Sequence, residues 1–382
     1  MRTTRSISCL LCGTVQPHFL SRLYRSVSPL PTVTRALHCS RRVMNSTRSS
    51  SNLDNATLSI FESTRTSTII SVIYMVVTVV NLVGNGLSMW LLLFRTFPKT
   101  PSIIFMINLT FTDLSLGVAL PFQIAYQLQG YDWNLGPNMC SFLTVMFFTN
   151  MYCSILTMMA ISIDRYLGIV RPMSFRETRK RKSMAIISCL FMWGLVLSVL
   201  WPMMTTDLTF DIPELGITTC FDVLKKNMLP SITAWAAFLF CMFFVLFFFP
   251  FCITTFCYIR VIKQLAKDSK TAQKVRAIRL AVLVLLVFTV CFAPNNFLLL
   301  VHTILRLYYQ KSVYTAYKLS LCFSCVNSCL DPFIYYLGSK DFRQKLRQIM
   351  GWRSVSSTES KQEHRDILYS MHCVYEGQQS KK

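Results

Sequence analysis

Charged residues and histidines are scarce in this chain of 382 residues. Only 15% of its residues are charged and 53% are hydrophobic, whereas soluble domains carry about 25% charged residues. This shortage excludes a chain built from soluble domains. The chain has five histidines, and of these only His302 lies in a long apolar stretch. A membrane metalloenzyme that needs clustered ligands is therefore disfavoured, and we predict no enzymatic activity.

Two further patterns are missing. No internal repeat suggests the duplicated halves of a transporter, so a transporter or channel is a minor alternative. The net charge of +22 comes from Lys and Arg clustered in short segments between apolar runs, not from basic runs interleaved with aromatic residues. Nucleic acid is therefore not an expected partner.

Long apolar runs dominate the chain instead. A helix needs about 20 apolar residues to cross a bilayer, and seven stretches qualify, namely 69–94, 103–127, 139–163, 183–203, 228–259, 280–305 and 314–337. Acidic groups are nearly absent inside them, and Asp113 and Asp331 are the exceptions. We predict an all-α integral membrane protein, with a seven-transmembrane helix bundle over residues 69–337.

Loop charge predicts the orientation. Lys and Arg concentrate in the loops after the third and fifth spans, within 171–182 and 260–279, while the opposite loops hold far fewer, among them Lys318. Basic loops stay in the cytoplasm. The N-glycosylation sequons at Asn45 and Asn55 fall on the opposite side and agree. We predict a plasma-membrane protein with an extracellular N-terminus and a cytoplasmic C-terminus.

The flanking segments differ in composition. Residues 1–68 form the extracellular N-terminal segment, in which 1–43 lack acidic residues and long apolar runs. These 43 residues are predicted to be a disordered extension, or to follow from an upstream start, with the working protein beginning near Met44. In residues 338–350, Phe342, Leu346 and Ile349 share one helical face opposite Lys and Arg, which predicts a short amphipathic cytoplasmic helix. Residues 351–382 are rich in Ser and charge and are predicted to be a disordered cytoplasmic tail.

Two of the fifteen cysteines are predicted to face the oxidising side together. Cys140 lies at the outer end of the third span, and Cys220 lies in the second outer loop. A disulfide between them would hold that loop over the mouth of the bundle. The alternative is a pair of free thiols.

Asp113 is costly because a carboxylate in the middle of a membrane costs about 2.5–3.5 kcal/mol. It needs polar neighbours in the bundle, and the candidates are Asn85, Asn150, Ser154, Asn327, Ser328 and Asp331. Two carboxylates among other oxygen atoms favour a small hard cation such as sodium. Alternatively, Asp113 is protonated and only holds helices together. No other metal or cofactor is expected.

The inner end of the third span carries Asp164, Arg165 and Tyr166. An Asp beside an Arg at the membrane boundary can form a local ion pair that competes with other partners of the Arg. Tyr258 and Tyr335 are predicted to lie at the same level, where their hydroxyls could accept the released Arg.

These features together resemble the rhodopsin-like (class A) G-protein-coupled receptors. The matching residues occur in order, one set per span, over about residues 65–350, and include Asn85, Asp113, Trp133, Cys140, Asp164-Arg165-Tyr166, Trp193, Pro250, Tyr258, Phe288, Pro294 and Asp331-Pro332. Two motifs resemble the purinergic-receptor-like branch, which includes nucleotide, lysophospholipid and protease-activated receptors. They are Asp331-Pro332, in place of the commoner Asn-Pro, and Cys220-Phe221-Asp222 in the outer loop. The stretches 101–109 and 291–297 resemble one subtype of that branch most.

The resemblance implies functional roles. A heterotrimeric G protein would bind at Arg165, and the polar cluster around Asp113 would be an allosteric sodium pocket. Ile155, Pro250 and Phe288 would form a packing switch beneath the ligand, with a hinge at Pro294. Phe292 stands where most of the family has Trp.

The ligand expectation follows from a departure from the branch. Nucleotide receptors present several cations in the upper sixth and seventh spans to neutralise phosphates, whereas this chain has Asn296 and Leu299 there, with cations at His302, Arg306 and Lys318. We predict an anionic amphiphile, such as a lysophospholipid or lipid conjugate, with its tail on 297–300 and its head at these cations and Lys225-Lys226. The alternatives are a nucleotide ligand, or cations that only line the outer leaflet.

Overall fold

The computed structural model describes residues 64–97, 99–171, 178–223, 229–267, 272–309 and 313–338, together with 343 and 346. The predictions for Asn45 and Asn55, for 1–43, for most of the helix at 338–350 and for the tail at 351–382 lie outside these residues. Contacts divide the chain into two units. One comprises 52–212 and 217–382 and contains every helix described below. Of the other, only the turn at 213–216 is described.

The bundle consists of seven helices, and we number them in chain order. Their bounds are α1 Thr64–Trp90, α2 Pro101–Leu128, α3 Gly136–Ile169, α4 Thr178–Thr205, α5 Ile232–Ala266, α6 Ala272–Ile304 and α7 Tyr314–Gly338. Short π-helices extend α1 over Leu91–Arg95 and α6 over Leu305–Tyr309. Within the described residues, α1 to α6 are long and apolar enough to cross a membrane.

The seventh helix completes the predicted bundle. It has 25 residues, about 37 Å at 1.5 Å per residue, which exceeds the thickness of a hydrocarbon core. It packs against α1 and α6. The prediction of a seven-transmembrane helix bundle is confirmed. Most helices extend beyond the predicted apolar stretches, because a helix continues into polar flanking residues until a capping or turn residue ends it.

Local sequence signals begin two of the helices. The Thr100 side chain accepts a hydrogen bond from the backbone N–H of Ile103, and Pro101 occupies the first turn of α2. The Ser231 hydroxyl accepts one from the Ala234 N–H at 3.1 Å at the start of α5. Both are N-caps that satisfy an N–H with no partner inside the helix. The cap starts α5 at Ile232, four residues later than predicted.

Proline residues and a π-helix interrupt the regular backbone. Pro121, Pro202, Pro294 and Pro332 lie inside α2, α4, α6 and α7, where each removes one backbone hydrogen bond. In α5 an eight-residue π-helix, Cys241–Phe248, ends two residues before Pro250. Prolines therefore interrupt five of the helices, and the one in α5 follows a widened helical segment.

A two-stranded antiparallel hairpin connects α4 to α5. Its strands are β1 Thr209–Ile212 and β2 Ile217–Cys220, and Thr209 pairs with Cys220. The Trp133 N–H, from the α2–α3 connection, donates to the Thr218 carbonyl oxygen at 2.7 Å. The hairpin is therefore fastened to the same end of the bundle as the start of α3.

Candidate functional site

A disulfide joins α3 to the hairpin. The sulfur atoms of Cys140 and Cys220 are bonded, and their Cα atoms lie 5.7 Å apart. Both residues are buried. The predicted disulfide is present, and we call the end of the bundle that contains it the disulfide end.

Asp222, two residues after Cys220, forms a buried ion pair with Lys318 of α7. The Nζ–Oδ1 distance is 2.5 Å, and each side chain exposes only 5% of its surface. The Tyr126 hydroxyl donates to the other carboxylate oxygen at 2.6 Å and accepts from the Cys220 N–H at 3.2 Å. Both carboxylate oxygens therefore have a partner, as a buried charge requires.

Aromatic rings surround this ion pair. The His302 ring stacks on Tyr317, with ring centres 5.4 Å apart and planes 8° apart. Tyr131, in the connection between α2 and α3, is fully buried. Burial raises the pKa of Tyr131, and the negative charge of Asp222 raises it further. Both effects favour the neutral phenol. The ion pair is itself buried, and a buried charge is screened weakly.

A cavity of about 50 Å³ lies beside the ion pair, and we call it the polar cavity. Asp222 and Lys318 are the charged residues among the described residues that line it, and Gln123, Trp133 and Tyr317 are among the others. Ligand pockets in proteins usually enclose about 300–1,000 Å³. A ligand therefore enters only if these side chains move apart.

A second cavity, of about 20 Å³, has a wholly apolar surface, and we call it the apolar cavity. Trp235 and Met242 of α5 and Leu299 of α6 line it. Phe148 and Phe221 line both cavities, and their rings meet edge to face at 5.6 Å. Phe221 has a φ of 59°, which is unfavourable for a bulky residue. A strained aromatic residue therefore separates the polar cavity from the apolar one.

The four predicted ligand residues have different surroundings. Lys318 lines the polar cavity and Leu299 lines the apolar one. His302 is buried against Tyr317. Asn296 accepts a hydrogen bond from the Tyr152 hydroxyl at 3.1 Å and is not among the described residues lining either cavity. The side chains of Arg306, Lys225 and Lys226 lie outside the described part of the chain.

Lys318, counted with the outer loops for the orientation, lies inside α7, as the ligand expectation has it. One detail of the ligand expectation is wrong. It takes 297–300 as one face, yet residues two apart on a helix point about 160° apart. Phe297 is 48% exposed and contacts Phe243 of α5 at 5.1 Å, whereas Leu299 is 9% exposed and faces the apolar cavity. Only part of this stretch can therefore contact a ligand inside the bundle.

Sequence reasoning missed Asp222 and Tyr126 as site residues. The available signal for Asp222 was an acidic residue two positions after a disulfide cysteine, in a loop held over the bundle. Tyr126 gave no signal, because a Tyr near the end of an apolar span is common at membrane interfaces.

The predicted polar cluster lies in the middle of the bundle. Asp113 is fully buried, and its Oδ1 accepts from the Asn150 amide at 3.1 Å. Asp331, also fully buried, accepts from the Asn327 amide at 3.1 Å. The Asp113 side chain contacts those of Asp331 and Ser328. The structure therefore brings together residues of α2, α3 and α7 that are far apart in the sequence.

Unpartnered oxygen atoms make this cluster suitable for a cation. Oδ2 of Asp113, Oδ1 of Asp331 and Oδ1 of Asn327 are buried and accept no hydrogen bond from the described residues. The hydroxyl of Ser154 lies 3.5 Å from that of Thr112, beside Asp113. Two buried carboxylates in contact repel each other when both are ionised. A bound cation or a shared proton relieves this repulsion, and oxygen ligands fit sodium.

The predicted switch residues pack in the core below the cavities. Ile155, Phe288 and Phe292 expose at most 1% of their surface. Phe288 stacks on Phe251 of α5 at 5.8 Å and meets Phe292 edge to face at 5.4 Å. These contacts link α5 to α6 close to Pro250, so a shift of α5 would move the Phe288 ring.

The predicted coupling residues lie at the opposite end of the bundle. The Ser102 hydroxyl donates to Oδ2 of Asp164 at 2.7 Å. Arg165 lies close enough to Tyr258 for its charge to act on the phenol. The next residue, Tyr166, contacts α5 through its ring. The side chain of Tyr335 lies outside the described residues.

A comparison with protein families decides what this arrangement is. The profile of the 7 transmembrane receptor (rhodopsin family) matches residues 84–335, which contain the disulfide, the polar cluster and the coupling residues. The chain belongs to this family. The resemblance to the rhodopsin-like receptors is therefore confirmed. The receptor is a multi-pass protein of the plasma membrane that binds an extracellular ligand and couples to a heterotrimeric G protein.

Relatives support the branch as well. The receptor is 48% identical to purinoceptor 8 of Gallus gallus over 326 residues, which are 85% of this chain and 91% of the relative. It is 48% identical to the S-geranylgeranyl-glutathione receptor of Homo sapiens over 305 residues, 79% of this chain and 85% of the relative. Proteinase-activated receptor 2 of Rattus norvegicus is 39% identical over 315 residues, with 81% and 78% coverage. Subtype eight is the subtype that the stretches 101–109 and 291–297 resemble.

Proposed function

We propose that this receptor is activated by an anionic lipid conjugate, which binds at the disulfide end and turns on a heterotrimeric G protein at the opposite end. The observation that carries the proposal is the pair of neighbouring cavities. One contains a buried cation, Lys318, the other has a wholly apolar surface, and Phe148 and Phe221 border both. A charged head and a long apolar tail need this combination of surroundings.

Charge argues against a nucleotide. A nucleoside di- or triphosphate carries several negative charges, and proteins usually bind phosphates with several Arg or Lys. Among the described residues lining the polar cavity the only cation is Lys318, and Asp222 already neutralises it. A head group with few negative charges and a large apolar part suits the site better.

The name of one relative points the same way. The human relative is named a receptor for S-geranylgeranyl-glutathione, a peptide carrying a prenyl chain. We transfer to this receptor only the chemical class, a lipid conjugate with a carboxylate-bearing head, and take that compound as the first probe.

Orientation forms part of the proposal. Disulfides persist on the oxidising, extracellular side of the membrane, so the disulfide end, with both cavities, faces outward. An odd number of spans then places the C-terminus in the cytoplasm, together with Asp164 and Arg165. The basic loops after the third and fifth spans support this arrangement.

Sodium at the Asp113 cluster is the allosteric part of the proposal. Unpartnered oxygens of Asp113, Asp331 and Asn327 would hold the ion, with Ser154 and Ser328 close by. The bound ion would neutralise the repulsion between the carboxylates and hold α2, α3 and α7 together. Sodium would thereby favour the resting arrangement, because a ligand shifts an equilibrium towards the state it binds better.

Guanine-nucleotide exchange on a purified G protein tests the proposal. The receptor in lipid nanodiscs is titrated with S-geranylgeranyl-glutathione, with unconjugated glutathione, and with ADP or UTP. We expect exchange only with the lipid conjugate, and a large loss of potency for Lys318→Gln. The control is Lys182→Gln, at the opposite end, which should respond like the wild type. Activation by a plain nucleotide at submicromolar concentration, without a response to the conjugate, would show that the ligand class is wrong.

A further inference from the structure

The polar cavity contains an acid as well as a base. Asp222 and Lys318 form its charged lining among the described residues, and both side chains are about equally buried. From this pairing we infer that the receptor selects a zwitterionic head group, whose carboxylate binds Lys318 and whose ammonium group binds Asp222. This inference rests on the proposed function and adds the charge pattern of the ligand to it.

Electrostatics carries the first step. An anion that binds Lys318 must compete with Asp222 for the same ammonium group. If the anion displaced Asp222 and offered nothing in return, a carboxylate would remain buried without a cation, which is strongly unfavourable. A head group that also carries an ammonium replaces both halves of the ion pair. No buried charge is then left without a partner.

The polar cavity is too small for a head group while the ion pair is closed. The polar cavity measures only about 50 Å³ while the ion pair is closed at 2.5 Å. A head group cannot fit beside the closed pair, so it must separate the two side chains and insert between them. A group inserted between a carboxylate and an ammonium meets one charge of each sign.

The hydrogen bonds of Asp222 carry the third step. Tyr126 donates to Oδ2, and the Cys220 N–H donates to the Tyr126 oxygen, while the adjacent disulfide fixes Cys220 to α3. The carboxylate therefore keeps its position when Lys318 leaves Oδ1. Lys318 has four rotatable side-chain bonds and can move. Asp222 is thus a prepared acceptor for an ammonium group.

Tyr317 adds a polar contact for the head group. Tyr317 lines the polar cavity, and its hydroxyl is buried and has no hydrogen-bond partner among the described residues. Such a group is costly unless a ligand satisfies it. An amino-acid or peptide head group can accept this hydrogen bond through an amide or carboxylate oxygen.

N-acetylation of the ligand tests the inference. S-geranylgeranyl-glutathione has an α-ammonium group, which acetylation converts to a neutral amide while the prenyl chain and the carboxylates remain. Breaking a buried charge pair costs at least about 2 kcal/mol, about 30-fold in affinity. We expect the acetylated conjugate to be about 30-fold or more weaker than the intact one on the wild-type receptor.

Replacing Asp222 tests whether this residue binds the ammonium group of the ligand. On Asp222→Asn the two ligands should differ by less than about 3-fold, because the acid that distinguishes them is gone. The matched control is Asp211→Asn, an exposed Asp of the same hairpin that bonds Thr218, and it should keep the wild-type preference. Surface expression is measured for each variant. If Asp222→Asn does not reach the surface, Asp222→Asn/Lys318→Gln, which restores neutrality, replaces it.

The outcomes distinguish a failure of the zwitterion inference from a failure of the proposed lipid-conjugate function. Equal potency of the intact and acetylated conjugates on the wild type overturns the zwitterion inference and leaves the lipid-conjugate function intact. A wild-type preference that persists in Asp222→Asn also overturns it, because another residue then binds the ammonium. Failure of the wild type to respond to the intact conjugate, together with a response to a nucleotide, removes the proposed function and this inference with it.

Discussion

Replacing Cys140 and Cys220 together by Ser removes the covalent tether between α3 and the hairpin. Once the spans are inserted in the membrane, the free segment runs from the end of α4 at Thr205 to Cys220. The disulfide closes this segment into a loop of about 15 residues. The loop-closure entropy for that length is about 3 kcal/mol, more than a 100-fold change in the ratio of docked to undocked hairpin. The undocked hairpin carries Asp222 away from Lys318, so the ligand site is incomplete.

The measured loss of docking is smaller than this estimate, because the Asp222–Lys318 pair and the Trp133–Thr218 hydrogen bond still favour the docked hairpin. The apparent affinity falls in proportion to the docked fraction. We therefore expect agonist potency to fall by about 10- to 100-fold at equal surface expression, together with reduced delivery to the surface.

Agonist-stimulated guanine-nucleotide exchange, normalised to antibody-measured surface receptor, is the appropriate assay. The control is Cys252→Ser, since Cys252 is a free and exposed cysteine of α5, and it should match the wild type. A potency within about 3-fold of the wild type for the double Ser variant, with normal surface expression, would refute the assignment of the tether to ligand-site assembly.

Three further predictions address the rest of the site. Leu299→Ala should weaken the binding of a C20 prenyl conjugate by about 10-fold or more, because a buried Leu contributes about 1.5–3 kcal/mol of apolar contact. The affinity for a short-chain conjugate should stay nearly unchanged, and competition binding of the two ligands measures both. Asp113→Asn should abolish the effect of sodium on agonist affinity, and a salt titration against potassium in which the variant keeps the wild-type sodium response would exclude the ion site. Asp164→Asn should raise basal exchange because it removes the carboxylate predicted to hold Arg165 at rest, whereas Arg165→Ala should abolish exchange but keep ligand binding. Normal agonist-driven exchange in Arg165→Ala would make this end purely structural.

Sequence reasoning succeeded where the evidence was local or periodic. Runs of about 20 apolar residues are sufficient for a spanning helix, because the bilayer leaves no other way to satisfy backbone hydrogen bonds. Cys140 and Cys220 could be paired because the topology placed them on one side. Asp113 was recognised as a member of a polar cluster because a carboxylate inside an apolar run needs partners.

The ligand site could be predicted only in part. The cation Lys318 was found, but its partner Asp222 comes from a loop about 100 residues earlier, and no periodicity links the two. The stretch 297–300 was read as one apolar surface, although helix geometry points Phe297 and Leu299 in different directions. The separation of a polar cavity from an apolar one depends on the position of Phe221, which no local pattern indicates.

The amino-acid sequence by itself determined that this chain crosses a membrane as seven helices and belongs to the rhodopsin-like receptors, because span length, charge distribution and motif order are properties of the linear chain. Only the tertiary structure decided that Lys318 is neutralised by Asp222, that Tyr126 holds this carboxylate, and that Phe221 stands between two cavities. The physical reason is that burial and pairing of charge depend on which helices and loops meet in space, and those contacts join residues far apart in the sequence.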